Sequence, residues 1–163
     1  MDWIALLLIL ISCLGIVYQD LSSRAIAWYF LPGIATGFIL IALSIIAFRE
    51  YLFYVLINLL VICLIVILLW LYYWIKKGTL TSIINKAIGL GDLLFLAVLC
   101  LGFSPVNLVV FLLLGLLVSL IIHLAKISTS ARVNKQIPLA GYLSLVLAIV
   151  YIFQFPLEII NVF

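Results

Sequence analysis

Two aspartates stand where a chain this apolar can least tolerate them. Asp20 closes the apolar run 3–18, and Asp92 opens the run 93–103. An ionisable side chain at membrane depth is expensive to keep and marks a functional site by default. Two carboxyls brought together can share one proton, because each charge pushes the other's titration away. One then acts as a base on water while the other, protonated, polarises a carbonyl. That is the chemistry of amide hydrolysis, and it asks for no metal and no cofactor. Simpler readings exist for each residue alone: Asp20 can pair with Arg24 four residues on, and Asp92 can cap the helix that follows it. Neither explains why two such acids should converge on one face.

The other residues with chemical potential form no comparable group. Asp2, Glu50 and Glu158 lie at chain ends or in a turn expected on the opposite side. Cys13, Cys63 and Cys100 stand alone in separate apolar runs, without the paired spacing of zinc or redox sites, and read as small core residues. His123 is the single histidine, set mid-helix with no His or Cys partner, and reads as a packing or hydrogen-bonding residue. No serine occupies a Gly-x-Ser-x-Gly elbow, which disfavours a Ser/His hydrolase.

The elements that must position the aspartates follow from composition. Apolar residues make up 70% of the 163 and charged residues 8%, with a mean hydropathy of +1.56. A soluble domain carries about 25% charged residues, so this chain has too few to cover a water-facing surface. The net charge of +3 is scattered through loops, which excludes a nucleic-acid groove. The start lacks the basic n-region and small-residue cleavage site of a signal peptide, with Asp2 in their place.

A bilayer core takes about 20 apolar residues per helix, and about 17 at the low end. Six stretches approach that length: 3–18, 27–48, 51–75, 93–103, 106–125 and 137–155. The pattern predicts an all-α fold, a polytopic transmembrane bundle of about six helices forming one membrane-embedded domain over 1–163. Residues 79–86 read as a short interfacial helix. The run 93–103 covers only about 16 Å of helix, so it is expected to extend back through Gly91 and Gly89 toward Lys86. Asp92 would then lie about 8 Å inside the membrane end of its helix. The first span likewise reaches to about Asp20.

With six spans, the first, third and fifth loops share a side. They hold Arg24, Lys76, Lys77, Lys86, Lys126, Arg132 and Lys135, against Arg49 alone on the other side. Basic residues accumulate on the cytoplasmic side. Both termini are therefore expected outside, and Asp20 and Asp92 at the cytoplasmic face. The setting of Asp92 is Gly89-Leu90-Gly91-Asp92. Two glycines before a helix allow unusual torsions and close approach of another backbone, which suits a site that draws an extended peptide against itself. They also suit a flexible helix start or a helix-packing pair of small residues.

In these residues the chain resembles the type IV prepilin peptidases and archaeal preflagellin peptidases, aspartic membrane proteases with six-helix cores. Asp20-Leu21-Ser22-Ser23-Arg24-Ala25-Ile26 is similar to the family's first motif, Gly89-Leu90-Gly91-Asp92 matches its Gly-x-Gly-Asp motif, and Lys135-Gln136-Ile137-Pro138-Leu139-Ala140-Gly141 is similar to the basic segment opening its last helix. Ala27, Leu94 and Leu139 depart from the proline, lysine and phenylalanine common there, and the tetracysteine region of the larger bacterial enzymes is missing. The resemblance implies a catalytic pair, Asp20 and Asp92, with substrate-binding backbone at Gly89 and Gly91 and structural roles for Arg24 and Pro138. It implies a prepilin-like protein substrate with a short basic leader, cut at the cytoplasmic face of the inner (plasma) membrane. Two other readings stay open: a small proton-coupled transporter using the acids as a relay, and a non-catalytic assembly protein whose acids serve as caps.

Overall fold

The structure, a computed structural model, describes the backbone of residues 2–23, 28–77, 89–129 and 139–157. All regular structure among these residues is helical: α1 (Asp2–Ser23), α2 (Phe30–Ile45), α3 (Phe48–Lys77), α4 (Leu90–Leu99), α5 (Pro105–Thr129) and α6 (Leu139–Leu157). The all-α class and the six apolar helices expected from the sequence are present. Three of them, α1, α3 and α5, are long and apolar enough to cross a bilayer, while α2, α4 and α6 are shorter apolar helices. The expected interfacial helix at 79–86, together with Arg24, Ala27, Lys135 and Pro138, lies outside the described residues.

Local chemistry sets the boundaries. Pro105 begins α5, where a missing N–H costs nothing, and the first helical bond runs from the Leu108 N–H to the Ser104 carbonyl at 2.9 Å. Ile46 is extended (φ −124°, ψ 156°) and separates α2 from α3, which starts at Phe48. The run expected to begin at 51 thus gains a turn containing Arg49 and Glu50, both exposed.

The bundle centres on α1, which packs most extensively against α2 and α6. Gly33 and Gly37 present a small-xxx-small face on α2 to α1. A Cβ at Gly37 would stand 2.9 Å from the Ala5 carbonyl oxygen, so the two backbones meet almost directly there. Ile9, Cys13, Ile16, Ile34, Phe38, Phe95, Leu99, Leu143 and Leu147 fill the fully buried centre. By contrast, α3 is apolar nearly all round and mostly exposed, with Leu60, Leu64, Ile67 and Leu68 facing outward. Such a helix has no stable place in water, and it is what a bilayer solvates.

The shortest element is the most informative. The expected backward extension of α4 passes Gly91 but stops short of Gly89. Gly89 is extended (φ −66°, ψ 143°) and α4 starts at Leu90. Its ten residues cover about 15 Å, so α4 is a half-length helix. Its carbonyl end is therefore buried, with Cys100, Gly102 and Phe103 all hidden from solvent. Orphan carbonyls there need partners. The turn first tightens, with i→i−3 bonds from Cys100, Leu101 and Gly102 N–H groups. Buried Asn58 of α3 then donates through Nδ2 to the carbonyls of Cys100 (2.9 Å) and Phe103 (2.7 Å). The hydroxyls of Tyr51 and Tyr151 donate to those of Leu101 (3.3 Å) and Gly102 (3.0 Å). Around this polar knot stand Phe38, Phe103, Phe111 and Tyr151, with ring centroids 4.8–6.3 Å apart between neighbours. Helices α2, α3, α5 and α6 are tied in this way to the end of α4.

Candidate active site

Asp20 lies in the last turn of α1 and is 5% exposed. Asp92 lies in the first turn of α4 and is partly buried. Although 72 positions separate them in sequence, both reach the start of α6. The Gly141 N–H donates to Asp20 Oδ2 at 2.6 Å, and the Ala140 N–H donates to Asp92 Oδ1 at 3.0 Å. The two carboxyls thus sit on consecutive amides of one helix and act electrostatically on each other. The first N–H groups of a helix have no partner within it, and the N-terminal end of its dipole favours negative charge. The start of α6 supplies both to a pair of acids that would otherwise repel.

Asp92 is not the cap of α4 that its sequence position allowed. Gly89 occupies the N-cap position, and Asp92 is the third helical residue, facing back to the Gly89 N–H. That is the acid's place in a capping box. The reason lies in the torsions at Gly89, which start the helix three residues before the aspartate. The aspartate therefore lies in the first helical turn and not about 8 Å along a longer helix.

The glycines also act differently from expectation. Gly89 has torsions open to any L-residue, and Gly91 lies inside the first turn of α4. What Gly89 provides is room, because a Cβ there would stand 3.1 Å from Asp92 Oδ2. Gly89 and Leu90 are exposed and Gly91 is half-buried, so bare backbone borders Asp92 on its open side.

Helix register gives the place of the pair along the bundle. Gly115 of α5 packs against Leu143 of α6, two residues beyond Gly141. The pair is therefore level with about residue 117 of α5, whose apolar span continues to Ala125, or about 12 Å further at 1.5 Å per residue. On α3, Asn58 marks the level of Cys100, and Asp92 lies eight residues away from that level, about 12 Å along α4. From Asn58 the α3 span continues to Lys76, about 27 Å, and so passes the pair by about 15 Å. By these two alignments α3 and α5 run on about 12–15 Å past the pair, whereas α1, whose apolar span ends at Ser22, stops within a turn of Asp20.

Of the remaining candidates, His123 is buried on α5 and Glu50 is exposed in the first turn of α3, at the opposite end of the bundle from the pair. Cys13 and Cys100 are buried, Cys63 is exposed, and all three are free thiols. Among the described residues no three His, Cys, Asp or Glu side chains stand together as a metal site. Sequence reasoning passed over Ala140 and Gly141 as partners of the acids, and Asn58 altogether. A lone asparagine inside a 25-residue apolar stretch was the available signal for the last, since a polar group at that depth needs a reason. Compared with known proteins, the chain matches no family model, no curated protein and no solved structure.

Proposed function

We propose that this protein is an intramembrane aspartic endopeptidase that removes short basic leaders from prepilin-like proteins at the cytoplasmic face of the plasma membrane. The observation that carries the reading is the meeting of Asp20 and Asp92 on adjacent α6 amides, where α1 ends and the long apolar helices α3 and α5 run past. In this reading six helices cross or enter the bilayer, with both termini outside, as the basic-residue bias of the loops requires.

The chemistry follows from the pair. One ionised carboxylate takes a proton from water, whose oxygen attacks the scissile carbonyl carbon. The protonated partner donates to the carbonyl oxygen, the proton held by the base passes to the leaving amine as the C–N bond breaks, and the partner takes a proton back from a gem-diol hydroxyl as the product acid forms. The exposed Gly89 and the half-buried Gly91 border Asp92, where an extended peptide would be drawn in.

A second reading has a specific observation in its favour. Both acids cap α6, so the same contacts serve a non-catalytic membrane scaffold. Asparagine separates the two, because it caps helices about as well as aspartate but cannot exchange a proton. The direct test is co-expression with leader-bearing prepilins, read as a size shift of the substrate. Cleavage that depends on this protein supports the peptidase. Intact leaders across a panel of such substrates, with the protein folded in the membrane, would set it aside.

A further inference from the structure

We infer that Gly141 is a positioning residue for the carboxylate pair: its missing side chain is what lets Asp20 seat on the start of α6 beside Asp92. The inference rests on the two-carboxylate reading above. A Cβ built at Gly141 would lie 2.9 Å from Asp20 Oδ2, 3.1 Å from its Cβ and 3.4 Å from its Cγ. The overlap therefore involves Oδ2 and also Cβ, the atom tied to the α1 backbone, so rotation of the carboxyl alone does not relieve it. Ordinary contact begins at about 3.4 Å, so the carboxyl must retreat by about 0.5 Å from an amide it now meets at 2.6 Å.

The neighbouring amide shows why that retreat matters. Ala140 holds Asp92 at 3.0 Å, and the two amides belong to consecutive residues of one rigid helix. The separation of the carboxyls is thus set by α6 and not by α1 or α4, which bring the acids from 72 positions apart. Displacing Asp20 alone breaks that register while leaving Asp92 in place. Small displacements of reacting groups are costly, at up to about a hundredfold per ångström. The predicted loss for Gly141→Ala is on the order of tenfold in kcat, with KM within about twofold, because the geometry of reaction and not the substrate surface is altered.

Gly115→Ala is the control. Its added Cβ would also clash, 2.5 Å from Leu143 Cδ2, but that atom is the tip of a leucine away from the acids. It should lower stability and leave kcat per folded molecule unchanged. Equal effects of the two variants, or a normal kcat in folded Gly141→Ala, would overturn the inference.

A second measurement needs neither activity nor that variant. Ala140-Gly141 is the only Ala-Gly step in the chain, so labelling alanine at the carbonyl carbon and glycine at nitrogen isolates one amide resonance. In the wild-type protein it should shift with pH as the Asp20 carboxyl titrates, and in Asp20→Asn the shift should be much smaller, being left to Asp92 on the neighbouring amide. A resonance insensitive to pH in the wild type, or equally sensitive in Asp20→Asn, would overturn the seating. The dyad reading falls separately, on full cleavage by Asp20→Asn or Asp92→Asn.

Discussion

Replacing Asn58 by leucine removes the side chain that secures the half-length helix carrying Asp92. Leucine has the branching of asparagine and is the bulkier of the two, so no cavity forms, and the main loss is of hydrogen bonds. Two are broken, to the carbonyls of Cys100 and Phe103 at 2.9 and 2.7 Å. A buried polar group left without a partner costs about 1–3 kcal/mol, and two carbonyls set a gross loss of about 2–6 kcal/mol. Against this, Asn58 Oδ1 has no partner among the described residues, and removing it recovers about 1–3 kcal/mol. Interhelical hydrogen bonds in membranes average nearer 0.6 kcal/mol, which pulls the sum down. The expected net loss is about 1–3 kcal/mol. Asn58→Asp is the sharper variant, since it sets an oxygen against two carbonyl oxygens, and should be worse than leucine. Reversible unfolding in mixed detergent micelles, followed by circular dichroism, measures both. A leucine variant within about 0.5 kcal/mol of wild type, or an aspartate variant more stable than leucine, would refute the reasoning.

Three further outcomes follow from the same geometry. Cysteines placed at 20 and 92, in a background without Cys13, Cys63 and Cys100, should be joined by short bifunctional reagents; failure in folded protein with substrate present would separate the acids. Reporter fusions after Lys77 and Lys135 should read cytoplasmic and one after Phe163 should not, whereas termini on opposite sides would break the six-helix topology. Cleavage against pH should be bell-shaped, because the carboxyls act on each other's charge and the two limbs belong to the pair. A single-limbed profile would remove the shared-proton mechanism.

Much of the fold was legible because the bilayer imposes so strong a composition. Runs of apolar residues of about membrane length set the class and the number of helices, and their polar ends set the boundaries to within a few residues. Asp20 and Asp92 stood out for the same reason, as charges where few are tolerated. Helix α4 was misjudged because the length rule assumes that every apolar helix crosses alone. Asn58, Tyr51 and Tyr151 satisfy its buried carbonyl end, so it need not reach the far side. Those three partners come from distant helices, and no local pattern announces them. The place of Gly141 was likewise hidden, because the contact it permits joins residues 121 positions apart.

The central claim is that the two carboxyls do chemistry as one unit and do not merely cap α6. The measurement that tests it most directly is cleavage of a verified leader-bearing substrate by Asp20→Asn, Asp92→Asn, the double variant and Glu50→Gln, each normalised to folded protein. Asparagine keeps the size of aspartate and its capping oxygen, so all four should fold and insert. Each single Asn variant should abolish cleavage, the double should be little worse than either, and Glu50→Gln should match wild type. Near-normal cleavage by either single Asn variant would contradict the account and leave the aspartates as helix caps.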